Sequence, residues 1–205
     1  MLGPKEKRER ALGMPLGLKG DRAGSPKSAL TRKPYRPGVH GPKSRPRTLS
    51  EFGLQLREKS KFKLAYGVDE RNLRRLFRIA AVTRGANGAK LVELLERRLD
   101  NVIYRLGFTP TRLAARQLVL QSHIAVNGRK VVSPGYEVRV GDHIAAREGS
   151  KQKGAFTQRK EILKKFDPPS WLRLDAEKLE GEVLSLPADI ELPFEVNLLV
   201  ESFSK

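Results

Sequence analysis

The chain has 205 residues and no cysteine, and its 41 lysine and arginine residues against 23 aspartate and glutamate residues give a net charge of +18. Such a charge predicts binding to a polyanion such as nucleic acid. The missing cysteines exclude disulfides and thiolate zinc sites and fit a reducing compartment. No segment approaches the roughly 18 consecutive apolar residues of a membrane-spanning helix.

The positive charge is unevenly distributed along the chain. Residues 1–50 carry +10, residues 51–100 carry +5 and residues 101–150 carry +4, whereas residues 151–205 carry −1. We therefore expect nucleic acid to meet the first three quarters of the chain. The final quarter is available for packing or for a protein partner.

Residues 1–47 are rich in Gly, Pro, Lys and Arg and contain few large apolar residues. Such a segment buries too little surface to offset its own ordering entropy. It is either a solvated disordered tail or an extension that becomes ordered along RNA phosphates, and we favour the extension. No apolar core of a secretory signal follows the basic start, while an organellar transit peptide stays open as an alternative.

A first basic helix is predicted to begin after Ser50, which acts as N-cap, and to end at Tyr66 before Gly67. It carries Arg57 and Lys59, both of which are candidates for RNA contact.

A second helix is predicted to begin after Asp69. Its apolar stripe has near-ideal helical spacing and consists of Leu73, Leu76, Phe77, Ala80 and Ala81. The opposite face presents four guanidinium groups, those of Arg71, Arg74, Arg75 and Arg78. Guanidinium groups grip phosphate with two parallel hydrogen bonds. Only two acidic residues, Asp69 and Glu70, lie near these arginines in the sequence, so repulsion between the arginines would cost stability unless an anion binds. We therefore prefer RNA binding to the alternative of a solvated charged face.

A helix pair is predicted next. Apolar residues recur in steps of three and four from Leu91 to Leu106 and predict one helix, which Gly107 ends. Thr109-Pro110 then starts a second helix, with the hydroxyl as N-cap and Pro at the first helical position. This second helix carries Arg112 and Arg116 on one face.

A small sheet is predicted after the helix pair. Asn127-Gly128 is a strong hairpin signal because both residues accept positive φ. The alternating segment 136–140, the turn at Gly141-Asp142 and the segment 143–147 predict further strands. Cations at the junction of the helix pair and the hairpin form a second candidate RNA patch, with ordinary surface charge as the alternative: Arg112, Arg116, His123, Arg129 and Lys130.

The rest of the chain predicts a basic helix over residues 155–166 and short strands near 171–174 and 179–184.

No catalytic constellation is present, because His40, His123 and His143 share no metal-ligand spacing and the sequence contains neither a nucleophile elbow nor a phosphate-cradling glycine loop. We therefore predict a binding protein without catalytic residues or a cofactor.

Four short motifs in the second half of the chain resemble the RNA-binding module named after ribosomal small-subunit protein S-four. They stand in the family's order: R-R-L-D-N-V-I-Y-R-L-G-F, T-R-x-x-A-R-Q-L-V, V-N-G and V-G-D-x-I. Residues 49–81 and the tail with Pro169-Ser170-Trp171-Leu172 and Leu199-Val200-Glu201 resemble the S-four ribosomal family itself. The resemblance covers residues 37–205 closely, whereas the first 36 residues match poorly apart from Leu2-Gly3-Pro4-Lys5.

The resemblance implies an α+β fold, in which a mainly helical domain accompanies an S-four-type module with its helix pair packed on a small, mostly antiparallel sheet. We expect a basic extension over 1–47, a helical domain over 48–88 completed by 171–205, and the module over 89–170. Many members of the family carry a four-cysteine zinc site near the N-terminus. This chain lacks those cysteines, so we expect no metal.

The resemblance further implies a structural protein of the small ribosomal subunit that binds 16S rRNA early at a multi-helix junction, nucleates assembly of the subunit body and contributes to translational accuracy. Its implied partners are the neighbouring small-subunit protein S-five and the mRNA at the entry channel, and we expect neither a membrane nor a second copy of the chain. Lys43, Arg45 and Arg47 match the segment at the mRNA entry. Three glutamates of the acidic quarter are candidates for the protein contact: Glu177, Glu180 and Glu201. Glu201 has an alternative role, because it could instead be buried in a strand that returns to the helical domain and be needed for folding. The implied location is the cytoplasmic ribosome, in preference to an organellar one.

Two other classes of protein carry the same module. An RNA-modifying enzyme would need a catalytic domain, for which no stretch of this chain is left over. A stand-alone RNA-binding stress protein would lack the long basic helical region that precedes the module. We therefore favour the ribosomal interpretation.

Overall fold

The computed structural model describes residues 4–43, 48–83, 87–188 and 190–204. The chain forms two compact units, of which unit 1 comprises residues 1–88 and 192–205 and unit 2 comprises residues 89–191. Unit 1 is helical in its described parts, and unit 2 combines helices with an antiparallel sheet, which confirms the predicted α+β class. No helix within the described ranges is long and apolar enough to cross a membrane.

The N-terminal segment folds on protein contacts of its own. It contains α1 (Lys5–Leu12), a 3₁₀ turn (Gly20–Gly24) and α2 (Ala29–Arg32). The buried carboxylate of Glu9 accepts the backbone N–H groups of Leu16 and Leu18 at 3.0 and 3.1 Å. Both leucines are buried. Composition alone did not predict this contact, because it depends on one carboxylate and two apolar side chains at particular positions.

The two predicted basic helices have the predicted caps. α3 (Glu51–Tyr66) begins where Ser50 Oγ accepts the N–H of Gly53, and it ends before Gly67, whose φ is 66°. α4 (Glu70–Val82) begins where the Asp69 carboxylate accepts the N–H of Asn72 at 2.8 Å. Local side-chain hydrogen bonds thus define both helix starts.

The C-terminal segment of unit 1 is a helix, α10 (Val196–Ser204), where we had considered a returning strand. Two aromatic rings of this segment, Phe194 just before α10 and Phe203 within it, pack against α3 and α4. The Phe62 and Phe194 centroids lie 5.0 Å apart, and those of Phe77 and Phe203 lie 4.9 Å apart. Aromatic pairs at these distances contribute stability beyond the area they bury.

The helix pair of unit 2 differs from the prediction at two points. The single helix expected from Leu91 to Leu106 is two helices, α5 (Asn87–Glu96) and α6 (Leu99–Arg105). The break lies at Arg98, whose backbone is extended and bridges to Glu137. The expected strand over 136–140 is absent, because this segment bonds to the helix break: Leu99 N–H donates to Tyr136 O at 2.8 Å and Val138 N–H donates to Arg97 O at 2.9 Å.

The second helix of the pair, α7 (Arg112–Leu120), starts two residues later than predicted. Its N-cap is Thr111, whose hydroxyl accepts the N–H of Ala114 at 3.1 Å. The Thr109 hydroxyl instead donates to Thr111 O, and Pro110 lies before the helix. Gly107 has a φ of 77° and ends the preceding turn as predicted.

The sheet of unit 2 has five antiparallel strands in the order β2-β1-β3-β5-β4. The strands are β1 (Ile124–Val126), β2 (Arg129–Lys130), β3 (His143–Ala146), β4 (Leu172–Asp175) and β5 (Glu180–Val183). Asn127 and Gly128, with φ of 49° and 75°, form the predicted hairpin turn. Two further helices, α8 (Glu148–Lys151) and α9 (Gly154–Leu163), precede β4.

Residues 171–191 belong to unit 2, whereas we had assigned them to the helical domain. The physical reason is that β5 pairs with β3, with Ile144 opposite Gly181. A Cβ atom at Gly181 would lie 2.6 Å from Leu106 Cδ1, so only glycine allows this close approach of strand and helix. Leu106 and Ile144 belong to the buried apolar core of the unit.

Candidate RNA interface

The outer face of α4 carries the clearest cationic row of unit 1. Leu73, Leu76 and Ala80 are buried on the inner face. The helical period therefore turns the predicted arginines outward, and all four are exposed: Arg71, Arg74, Arg75 and Arg78. Arg74 lies 3.9 Å from the Glu70 carboxylate, and its side chain is 58% exposed. In the described part of the chain the other three have no ion-pair partner, so this row attracts anions with little internal compensation.

A cluster of lysines around Glu70 lies between α3 and α4. Lys59 and Lys63 contact the two Glu70 oxygens at 2.5 and 3.0 Å. Burial by itself would raise the pKa of Glu70, but hydrogen bonds and charge from the two lysines outweigh it and lower that pKa below its usual value. The Lys59 ammonium also lies 4.1 Å from the Phe203 ring centroid. Lys59 is therefore engaged in holding α3, α4 and α10 together.

Arg57, another residue predicted to contact RNA, is also engaged with protein. Its Nε donates to Leu12 O at 3.2 Å, and its Nη2 donates to the same carbonyl, at the C-terminal end of α1. Cations satisfy carbonyl groups at helix ends in this way. Lys43 is exposed in a 3₁₀ turn, whereas Arg45 and Arg47 lie outside the described residues.

In unit 2, a buried carboxylate anchors two arginines. The Glu96 carboxylate is completely buried and binds Arg105 with two hydrogen bonds of 2.8 Å. It also accepts from Asn101 Nδ2 at 2.7 Å, and Asn101 Oδ1 accepts from Arg112 Nε at 2.6 Å. The Arg112 guanidinium stacks 4.5 Å from the Tyr104 ring centroid. Arg112 is thus held in one orientation, and only 16% of its side chain is exposed.

A second buried carboxylate, Asp100, lies beside this network. Arg98 binds it with two hydrogen bonds of 3.1 and 2.8 Å, and Arg116 approaches it to 3.9 Å. Burial raises the pKa of Asp100, an effect that the charges of Arg98 and Arg116 oppose. Arg116 keeps 39% of its side chain exposed, more than Arg112 does.

The hairpin places its own cations in solvent. Arg129 and Lys130 form β2 at the edge of the sheet and are exposed. His123 precedes β1, and its Nδ1 lies 3.0 Å from Ser150 Oγ. Burial, together with the charges of Lys153 and Arg147, lowers the pKa of His123 below 6.5. This shift favours the uncharged form of the imidazole.

Comparisons with known proteins match the whole length of the chain. Residues 1–96 match the family model described as ribosomal protein S4/S9 N-terminal domain, and residues 97–144 match the S4 domain. Small ribosomal subunit protein uS4 of Caldicellulosiruptor bescii is 49% identical over 206 residues, which cover 100% of this chain and 98% of the relative. The uS4A protein of Alkaliphilus oremlandii is 50% identical over 96% of this chain and 94% of its own. The uS4 protein of Thermus thermophilus is 45% identical over 100% of this chain and 98% of its own.

The chain belongs to the uS4 ribosomal protein family. The resemblance inferred from the sequence motifs is thereby confirmed, and it extends over the first 36 residues, which we had matched poorly.

The zinc site found in many uS4 proteins does not fit this member of the family. The chain has no cysteine to supply thiolates. Within the described ranges, no group of three or more His, Asp or Glu side chains could hold a metal ion. Glu9 instead secures the N-terminal segment through its two backbone hydrogen bonds.

The acidic residues predicted for a protein contact lie in different surroundings. Glu177 is exposed in the turn between β4 and β5, and its N–H donates to Asp175. Glu180 lies on β5, 3.6 Å from Lys151 Nζ. Glu201 is exposed on α10 and accepts from Gln55 Nε2 at 3.1 Å. Glu177 and Glu180 belong to unit 2 and Glu201 to unit 1.

The buried carboxylates Glu96 and Asp100 are not among the functional residues that the sequence patterns predict. The signal was present, because each acidic residue interrupts the apolar helical pattern and Arg97 and Arg98 lie between the two. A charged residue on an apolar helix face is expected to be buried only with a partner. These two carboxylates position Arg105, Arg112 and Arg116 of the uS4 module.

Proposed function

We propose that this protein is a structural constituent of the small ribosomal subunit and a primary binder of 16S rRNA. The match with uS4 proteins over the full chain carries this proposal. The α4 arginine row adds a physical reason, because three of its guanidinium groups have no ion-pair partner in the described part of the chain. An rRNA backbone supplies the phosphates that such a row binds.

The binding mode follows from the charge. With a net charge of +18, the protein neutralises many phosphates and releases their counterions, so its affinity for RNA decreases steeply with salt. The α4 row presents charge directly, whereas the arginines of unit 2 are oriented by Glu96 and Asp100. In this proposal the row supplies direct attraction to phosphates, and the oriented arginines supply register on the RNA.

The finer functions belong to the same proposal. Binding early in assembly, the protein nucleates the body of the subunit and acts without catalysis and as a single copy in the cytoplasmic ribosome. The acidic residues Glu177, Glu180 and Glu201 contact protein S-five, and these contacts contribute to translational accuracy. Lys43, with Arg45 and Arg47, lines the mRNA entry.

The first experiment is a sucrose gradient of cell lysate at low and high salt. We expect the protein to migrate with small subunits and not to appear as free protein. The second experiment is a titration of the purified protein with the 5′ domain of 16S rRNA. An affinity that stays flat from low to moderate salt, or migration with free protein or large subunits, would contradict the proposal and favour a stress protein or an RNA-modifying enzyme.

A further inference from the structure

A cleft of about 220 Å³ opens between α1, the 3₁₀ turn and α2. Besides Ala29, six residues line this N-terminal cleft, one acidic and five basic: Glu6, Arg10, Arg22, Lys27, Arg32 and Lys33. Clefts that hold drug-sized ligands or cofactors have volumes of about 300–1,000 Å³. The N-terminal cleft is smaller and has room for one small charged group.

Most of the positive charge in the cleft is uncompensated. Glu6 pairs with Arg22 at 3.0 Å. Within the described residues, the other four cations have no ion-pair partner. Like charges crowded into one cleft repel each other, and a bound anion relieves that repulsion.

Two of the guanidinium groups are fixed in orientation before any ligand binds. Arg10 Nε donates to Lys33 O and Arg10 Nη2 donates to Tyr35 O, both at 2.9 Å, and its guanidinium carbon lies 5.0 Å from the Tyr35 ring centroid. Arg22 Nη2 donates to Lys27 O at 3.3 Å and its Nε contacts Glu6. Planar cations held in this way lose little further entropy when they bind phosphate.

Three cations are left to close on a ligand. Lys27, Arg32 and Lys33 are exposed, and none has a side-chain hydrogen bond within the described residues. The buried carboxylate of Glu9 fixes the segment that leaves α1, which holds one wall of the cleft in place. The wall with the oriented arginines is thus rigid, while the wall with the exposed cations is adaptable.

We propose that the N-terminal cleft binds one phosphate group of an RNA backbone. The inference rests on the proposed function in taking RNA as the partner. A free phosphate ion shares the chemistry of the ligand, and the volume of the cleft accepts either. The exposed rim of the cleft favours the polymer, because a strand can enter and leave along it without being enclosed.

The test compares two double variants of the full chain. Lys27→Ala with Arg32→Ala removes two cations from the cleft. Lys7→Ala with Lys19→Ala removes two exposed cations of the same segment that do not line it. Because the loss of net charge is equal, a difference between the variants reports the site and not the overall field. Circular dichroism of both variants checks that they fold.

For the cleft variant, we expect affinity for the 5′ domain of 16S rRNA to decrease several-fold and the slope of log affinity against log salt to decrease by about 1, the effect of losing one phosphate contact. The control variant should change the slope clearly less than the cleft variant does. If the natural protein binds RNA and both variants behave alike, this inference is wrong while the proposed function stands. If the natural protein does not bind RNA, the proposed function itself is wrong.

A second measurement separates the two sources of phosphate. The guanidinium N–H resonances of Arg10 and Arg22 are followed by NMR during titration with a short RNA oligonucleotide and, separately, with inorganic phosphate at matched ionic strength. We expect the RNA to shift both resonances at concentrations at which inorganic phosphate does not. Shifts with inorganic phosphate alone, together with unchanged RNA affinity of the cleft variant, would overturn the RNA assignment.

Discussion

Glu96 shows how much one buried carboxylate contributes at the scale of a residue. Its side chain is 0% exposed and joins Arg105, Asn101 and, at 3.9 Å, Arg112. We predict that Glu96→Ala lowers the free energy of unfolding by about 3–5 kcal/mol, because the arginines lose their buried counter-charge. Urea denaturation measures this loss.

The matched control is Glu161→Ala. Glu161 is 82% exposed and pairs only with Lys164 within the described residues. Its replacement should change stability by less than about 1 kcal/mol. A similar loss in both variants would show that burial of Glu96 contributes nothing.

The ion pairs of Glu70 lead to a second prediction at the residue scale, which concerns how the stability of the protein depends on pH. The lysines at 2.5 and 3.0 Å lower the pKa of this carboxylate in the folded protein. A lowered pKa means that the stabilising contribution is complete above the ordinary value of 4.5 and is lost as pH decreases through the folded-state pKa. Glu70→Gln should therefore be less stable than the natural protein at neutral pH, and the difference should vanish in acid.

Denaturation at a series of pH values tests this prediction. The same series with Glu161→Gln, an exposed glutamate, serves as the control and should show little difference at any pH. A Glu70→Gln difference that grows as pH decreases would have the opposite sign and would contradict the assignment of the lysine pairs.

At the scale of an element, α4 has one buried apolar face and one exposed cationic face, and we propose that the cationic face binds RNA. We predict that Arg74→Ala, Arg75→Ala and Arg78→Ala together weaken RNA binding and leave the circular dichroism spectrum unchanged, because Leu73, Leu76 and Ala80 stay buried. A gel-shift titration with 16S rRNA measures the binding. Unfolding of the triple variant would show that the arginines are structural.

Two comparisons sharpen the α4 prediction. The corresponding triple lysine variant keeps the charge and loses the two-pronged geometry, so its affinity should lie between those of the natural and the alanine proteins. Leu76→Ala should act through stability, lowering the free energy of unfolding by about 2–5 kcal/mol, because Leu76 is buried.

At the scale of the whole molecule, the charges divide between a basic first three quarters of the chain and a weakly acidic final quarter. We predict that Glu177→Lys and Glu201→Lys leave rRNA affinity nearly unchanged and raise misreading of codons in cells. The physical reason is that a charge pair at a subunit interface biases two conformations by about 1–3 kcal/mol. Glu180 is left out of this test because its pair with Lys151 at 3.6 Å links it to stability.

Readthrough reporters measure the misreading. Glu161→Lys makes the same change in charge on α9 and should leave fidelity unchanged. Normal readthrough in both test variants, with normal levels of small subunits, would remove the acidic quarter from translational accuracy.

Short-range signals in the sequence determined the starts and ends of several elements. Ser50 and Gly67 cap the two ends of α3, Asp69 caps the start of α4, and Asn127-Gly128 forms the hairpin turn. Each of these features depends on a side-chain hydrogen bond or a backbone angle within a few residues, so the local sequence is sufficient. The family motifs likewise lie within short stretches. The outward row of α4 followed from helical periodicity alone.

Tertiary contacts decided the rest. The helix break at Arg98 and the missing strand at 136–140 have one cause, the bonding of residues 97–99 to 136–138, which are about forty residues away in the chain. The pairing of β5 with β3 placed residues 171–191 in unit 2.

Tertiary contacts also decided whether each cation pairs within the protein or stays exposed. Arg57 donates to the Leu12 carbonyl, Lys59 pairs with Glu70, and Arg112 lies in the Glu96 network. The α4 arginines instead face solvent. A sequence shows that a side chain is charged. Only the fold brings a carbonyl or a carboxylate to it, and that neighbour decides whether the charge holds the protein together or is available to RNA.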